Sequence, residues 1–227
     1  MRSLRRLRGR IGLIGNRLTR SFAIRRYLDA HQVRMLQLGA GYSQLPGWLC
    51  TDVLPRDRQS IFLDATQVFP FTDQTFDYVF SEHMIEHLPR AGGLHMLREC
   101  RRVLKPGGIL RIATPDLSVV ISLYAASDGE ATRYIEWMAH RFLDGAEDAK
   151  AAIVINHIFH GWGHQFLYDA DLLIAALRDC GFVDIRCCAI GDSVHEALRG
   201  VESHGMNDPE MVRFETMVFE AQCPFDP

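Results

Sequence analysis

The chain has 227 residues, 48% of them hydrophobic and 23% charged, a composition that suits one globular domain and excludes a disordered or fibrous protein. No apolar run approaches the ~20 residues of a membrane-spanning helix and no secretory signal pattern opens the sequence, so a cytoplasmic location is expected. The net charge of −3 conceals a division, because residues 1–34 hold ten arginines against one acid, Asp29.

Within that basic segment Leu4, Leu7, Ile11, Ile14, Leu18 and Phe22 recur at three- and four-residue steps, the spacing of one helical face. Residues 1–32 therefore read as a basic amphipathic arm. Gly9, Gly12 and Gly15 weaken it as a free helix, each by up to about 1 kcal/mol against alanine. Three roles stay open: a helix packed on the domain, peripheral contact of residues 1–28 with an anionic membrane at its inner face, and a transit-type presequence. The six cysteines show no Cys-x-x-Cys spacing and read as reduced, buried thiols.

The domain proper is expected over 33–227. Its first strand, Val33 to Leu38, runs straight into the glycine turn Gly39-Ala40-Gly41, and Asp52 sits near the end of the next strand, Trp48 to Val53. A glycine turn at the carboxyl end of a strand lets backbone approach a ligand, and a carboxylate ending the next strand can hold a ribose diol. A purely structural bend remains the alternative. Where a dinucleotide fingerprint would place a third glycine, this chain has Gln44, which disfavours a pyrophosphate ligand and leaves S-adenosylmethionine, which carries no phosphate. Only nine residues, Gly39 to Gly47, separate the two strands, short for a crossover with a helix.

Further strands are expected at Ile61 to Leu63, Phe76 to Ser81 and Ile109 to Ala113, with a helix over Leu94 to Leu104 that ends at Lys105-Pro106-Gly107-Gly108. Helices should follow over Leu117 to Ala126, Ala131 to Phe142, Ala149 to Ile158 and Ala170 to Cys180, the last capped by Asp169. Phe182 to Ala189 and Met211 to Ala221 read as two closing strands, and Gly191 to Pro209 as a surface loop or lid. The alternation of strand and helix predicts an α/β fold with a mostly parallel sheet and helices on both faces.

Three stretches, in this order and spacing, carry a resemblance over about residues 33–190: Leu36 to Gly41, Phe69 to Leu88 and Arg102 to Leu110. The chain resembles the class I S-adenosylmethionine-dependent methyltransferases, most closely the type 11 domain and a group found beside bacterial surface-polysaccharide genes. The resemblance implies a Rossmann-like, seven-stranded sheet with an antiparallel last strand and an acceptor-side insertion at about 117–169. It further implies that Gly39, Ala40 and Gly41 line the methionine portion of the cofactor, that Asp52 accepts the ribose hydroxyls, that Asp64 lies near the adenine amino group, and that Ser81 borders the methyl. Gln37 and Ser43 depart from the pattern, where relatives often carry an acid and a glycine.

Two histidine clusters stand apart. In Glu82-His83-Met84-Ile85-Glu86-His87, the four-residue step between His83 and His87 permits a metal site, and the stretch resembles a Glu-x-x-Glu-His arrangement of the ubiquinone O-methyltransferases at His83, Glu86 and His87 with the first acid replaced, but His83 as base or substrate contact is preferred. The stretch from Asn156 to Asp169 holds His157, His160 and His164 among aromatics; it reads as a structural loop, as an acceptor-binding loop with His164 as a second catalytic candidate, or as zinc ligands. No metal is expected. The resemblance implies an acceptor that is a sugar, glycolipid or other small hydroxylated molecule; the acidic remainder of the chain and the lack of an Asn-Pro-Pro-aromatic motif argue against nucleic acid, and an inactive scaffold with the same fold is the alternative that Gln37, Ser43 and the short crossover favour. The oligomeric state is not legible in the chain.

Overall fold

The structure, a computed structural model, describes residues 19–57, 59–125, 127, 129–144, 149–203 and 208–225. A helix over 19–30 (α1) precedes the first strand, β1 (Met35–Leu38), followed by β2 (Leu49–Asp52), β3 (Ser60–Phe62) and β4 (Phe76–Glu82). Helix α2 (Arg90–Val103) leads directly into β5 (Leu104–Pro115). Then come α3 (Leu117–Ser122), α4 (Gly129–Phe142), α5 (Ala151–His160) and α6 (Ala170–Asp179), and the chain closes with β6 (Val183–Cys188), α7 (Pro209–Glu215) and β7 (Thr216–Gln222).

The seven strands form one sheet in the order β3-β2-β1-β4-β5-β7-β6, parallel except for β7, which runs antiparallel to both β5 and β6. This is the sheet the resemblance implies. The chain winds outward from β1 to β3 on one side and returns to β4 and β5 on the other, so a crevice opens where β1 and β4 end side by side. Leu36 and Leu38 of β1 are fully buried, each worth roughly 2–3 kcal/mol in apolar area removed from water. On α2, Met96, Leu97, Cys100 and Val103 form the buried face, and with Phe76, Val79 and Leu110 they join the main core.

Three features depart from the sequence reading. The 211–221 stretch is not one strand: Asp208 accepts a hydrogen bond from the Glu210 amide and Pro209 fills the first helical turn, so α7 forms before β7 begins at Thr216. The β1–β2 connection contains no helix; its loop is tied instead by Gln37, whose Nε2 donates to the Ser43 carbonyl (2.6 Å) and whose Oε1 accepts from the Leu45 amide (3.0 Å). The arm is also divided. Ile24 and Tyr27 of α1 are buried in the main core, whereas Phe22, expected on the apolar stripe, is 72% exposed. Leu4 to Leu18, which carry the rest of that stripe, lie outside the described residues.

The 117–169 region has a core of its own. Val120, Leu123, Tyr134, Ile135, Met138, Val154 and Ile158 pack together over the carboxyl end of the sheet, with Met211 of α7. Opposite, the expected lid is anchored from below: Arg111, fully buried on β5, pairs with Glu202 and Glu220 and donates to the Asp192 carbonyl at 2.9 Å.

Replacing Arg111 by methionine would leave two buried carboxylates without their cation, and breaking such a pair typically removes about 3–5 kcal/mol. Urea unfolding of Arg111→Met should show a loss of that order; a loss under about 1 kcal/mol would mean the segment is held by other contacts.

Candidate functional site

Two cavities open at the carboxyl end of the sheet. One, of about 320 Å³, is bounded by Gly39, Asp52 and Asp64 with the apolar side chains Val53, Leu63, Met84 and Leu88. At Gly39, φ is +66° and an added Cβ would fall 2.5 Å from Met84 Cγ, so only glycine lets the turn and the β4 loop approach this closely. Asp52 Oδ2 accepts from the Gly41 amide (2.9 Å) and Oδ1 from the Leu54 amide (2.7 Å), which fixes the carboxylate at the rim. Asp64 Oδ1 accepts from the Thr66 amide and hydroxyl (3.0 and 2.7 Å) in a tight turn.

Not all of the expected cofactor residues reach this hollow. Gly39, Asp52 and Asp64 line it. Ala40 is buried behind it against Trp48, Cys50 and Phe80, and Gly41 acts through its amide on Asp52. Ser81 is fully buried in β4, its hydroxyl has no hydrogen-bond partner among the described residues, and it lines neither cavity.

The second cavity, of about 350 Å³, is bounded by His83, Glu86, His87, Pro115, Trp137, Phe142, Trp162, His164 and Glu215. His83 and His87 line both cavities. The roof is an aromatic row: Trp137 meets Phe142 edge-on at 5.4 Å, Phe142 meets Trp162 at 5.1 Å, and Trp162 meets His164 at 5.7 Å. His164 then meets His87 edge-on at 4.8 Å, which joins the roof to the shared wall.

That wall follows from the backbone after β4. His83 adopts φ +44°, a left-handed conformation rare for a residue with a side chain, and its amide donates to the Ala113 carbonyl at 2.9 Å. The bend turns Glu86 inward, where it is fully buried: Oε2 accepts from Thr114 Oγ1 at 3.0 Å and Oε1 lies 3.3 Å from His83 Nδ1. The other His83 nitrogen, Nε2, faces Thr216 Oγ1 at 3.0 Å. The Glu86 carbonyl accepts from the Gln165 and Phe166 amides (2.7 and 3.2 Å), and Gln165 Nε2 donates to the His87 carbonyl at 2.5 Å, so the loop bearing His164 is stitched to the end of β4.

The charges are coupled. Burial pulls the His83 pKa down, but the Glu86 carboxylate, with Glu215 and Glu82, more than offsets this and holds it above the ordinary imidazole value. Burial raises Glu86, yet His83 and His87 bring it below the usual carboxylate value. Burial also lifts Glu215, against the pull of His83 and of the Tyr134 hydroxyl that donates to it, and leaves it above the ordinary range. Burial lowers the His164 pKa below the ordinary imidazole value.

The sequence reading singled out His83 and His164 and the structure brings both to this cavity. It does not bring Asn156, which is exposed and bonded to the Ala152 carbonyl, or Asp169, which caps α6. Trp137, Phe142 and Glu215 were not anticipated as site residues. Their only signal was composition, since aromatics at 137 and 142 read equally as helix packing and Glu215 lay in a misassigned strand.

Residues 37–112, a third of the chain, match a family described as a methyltransferase domain. No curated protein sequence matches the chain. Among solved structures it is similar to phosphoethanolamine N-methyltransferase 2 of Haemonchus contortus in complex with S-adenosyl-L-methionine (15% identity, 91% of this chain and 52% of that one, TM-score 0.50). It is also similar to a SAM-dependent methyltransferase of Archaeoglobus fulgidus (15%, 92% and 93%, 0.49) and to a SAM-dependent methyltransferase of Thermotoga maritima (15%, 91% and 91%, 0.49). The chain thus spans about half the length of the Haemonchus protein, and the likeness establishes a Rossmann-like methyltransferase fold.

The close approach at Gly39 has a measurable consequence. Gly39→Ala combines a left-handed backbone with a clash and should lose about 2–3 kcal/mol of stability, whereas Gly163→Ala, at φ +80° with open space around it, should lose only the backbone part of roughly 1–2 kcal/mol. Equal losses in denaturant unfolding would remove the contact between Gly39 and Met84 as a constraint.

Proposed function

We propose that this chain is an S-adenosylmethionine-dependent methyltransferase that O-methylates a sugar, glycolipid or other small hydroxylated acceptor. One observation carries the reading: two cavities meet at His83 and His87, one walled by a glycine turn and two carboxylates, the other roofed by aromatic rings above polar groups.

The residues of the first cavity fit the donor. Asp52 and Asp64 offer carboxylate oxygens to a ribose diol and an adenine amino group, and Leu63, Met84 and Leu88 offer apolar faces to the base. Gln37 departs from the acid of many relatives, but its amide both donates and accepts within the β1–β2 loop, which a carboxylate could not do. When bound, S-adenosylmethionine supplies a methyl group on a sulfonium; the acceptor oxygen bonds to that carbon as the carbon–sulfur bond breaks, and its electron pair goes to sulfur. The protein's contribution is alignment of the acceptor oxygen, and removal of its proton.

The second cavity fits the acceptor. Trp137, Phe142 and Trp162 present flat apolar faces, and Glu86, Glu215 and His164 present hydrogen-bonding groups, the combination that holds a sugar ring by its carbon face and its hydroxyls. His164 and Glu215 are the groups here able to take the proton. His83, engaged toward Glu86 and Thr216, serves in this reading to position that wall. Among the described residues no helix is long and apolar enough to cross a membrane. The arginine-rich, apolar-striped residues 1–28 favour a cytoplasmic protein touching the anionic inner face of a membrane, where a glycolipid acceptor would be met.

Titration calorimetry of the full chain with S-adenosylhomocysteine should give one saturable site, and Asp52→Ala should weaken it at least tenfold through loss of charged hydrogen bonds worth roughly 1.5–3 kcal/mol. The absence of binding heat with either S-adenosylmethionine or S-adenosylhomocysteine would instead identify an inactive scaffold. Trp162→Ala should leave that affinity unchanged and lower methyl transfer to hydroxylated acceptors, measured with a labelled methyl donor.

A further inference from the structure

We propose that Glu86, His87 and His164 bind one divalent transition-metal ion at the junction of the two cavities, and that this ion holds the acceptor hydroxyl. The inference rests on the reading of the aromatic cavity as the acceptor's, and it joins the two histidine clusters visible in the sequence. It takes one residue pair from the end of β4 and one histidine from the loop after α5.

One ligand atom from each of the three residues lies within 4.8 Å of the others. A tetrahedral ion with bonds of about 2.0–2.2 Å needs ligand atoms about 3.4 Å apart, so small side-chain rotations close the set. Glu86 is fully buried, and its Oε1 pairs with His83 Nδ1 at 3.3 Å, which leaves that oxygen a lone pair for an ion. His164 Nδ1 is buried without a hydrogen-bond partner among the described residues. An ion pair between His83 and Glu86 accounts for the carboxylate alone. It leaves unexplained why an imidazole whose Nδ1 is buried and unpartnered is held edge-on against a second imidazole at 4.8 Å beside that same carboxylate.

Two imidazoles and a carboxylate form a donor set that suits zinc and other borderline divalent ions, with three protein positions filled and the remainder open to substrate. The open side here faces both cavities, since His87 lines each. Groups behind the ligands are already in place: Thr114 donates to Glu86, His83 backs its other oxygen, and the Gln165 bond to the His87 carbonyl fixes the two loops together. An acceptor hydroxyl occupying the open position loses its proton more readily, as ion-bound water does. The oxygen keeps the electron pair of its O–H bond and the proton passes to the Glu215 carboxylate in the same cavity. His164 is then a ligand and Glu215 the proton acceptor, with no change in the oxidation state of the ion.

The full chain, stripped with a chelator and dialysed, should take up one equivalent of Zn²⁺ in competition with a chromogenic chelator. His164→Ala and Glu86→Gln should each weaken binding by at least about tenfold, while His160→Ala, an exposed histidine outside the cluster, should not. No uptake by the wild-type chain, or equal affinity in wild type and His164→Ala, would overturn the site. Should Glu86→Gln fail to fold, His164→Ala and His87→Ala decide the matter. Calorimetry with S-adenosylhomocysteine on the same samples keeps the two readings apart: nucleoside binding without metal sinks only the metal site, and metal binding without nucleoside sinks only the transferase.

Discussion

The architecture of the site depends on the burial of one carboxylate, that of Glu86. A carboxylate fully withdrawn from water must be met by donors or positive charge, and the sequence meets it from two directions, Thr114 on β5 and His83 on the bend after β4, while the backbone carbonyl of the same residue accepts from amides of the loop after α5. These partners come from positions up to about eighty residues away. The side chain and backbone of this one residue together fix the end of β4, the neighbouring strand and the carrier of His164 relative to one another. The left-handed turn at His83 is the local strain this arrangement requires.

Around that point the molecule is built in two parts. The sheet, α2 and α6 share the main core and form the glycine-turn cavity, whereas α3, α4, α5 and Met211 share a second core that roofs the aromatic cavity. The roof touches the floor through the Glu86–Gln165 stitching and through Glu215, which accepts from Tyr134 of α4 while sitting at the end of α7, just before β7. Because the second core closes on itself, aromatic residues such as Trp137 and Phe142 can differ without disturbing the glycine turn. That separation is why one fold can keep a donor site and vary its acceptor.

The sheet was legible because parallel strands are short continuous apolar runs bounded by turn residues, and β1 to β4 fell within a few residues of their expected limits. The glycine turn and its two acids were legible for the same reason, since backbone bends and strand ends leave local marks. Convergence leaves none. Nothing in the spacing of Glu86, His164 and Glu215 announces that they share a cavity, because β-sheet order and a separate helical core bring them together. The misread stretch 211–215 had a usable signal in Asp208-Pro209, a cap followed by a helix-initiating proline; the apolar residues after it masked that signal by joining visually with β7.

The short crossover between β1 and β2 connects the amino-terminal helix to the site. With no helix of its own, the 39–48 loop is held by Gln37 from within and by α1 from outside, where the Tyr27 hydroxyl lies 2.9 Å from the Met35 carbonyl and 3.0 Å from that of Gly47, and accepts from the Met35 amide. One hydroxyl proton serves two carbonyls in turn, so the contact works as a shared clamp on the beginning of β1 and the end of the loop. The loop also carries Gly39 and, through the Gly41 amide, orients Asp52. The helix that follows the arginine-rich residues is consequently part of what shapes the glycine-turn cavity: it replaces, by side-chain bonds, the support that a crossover helix would otherwise provide.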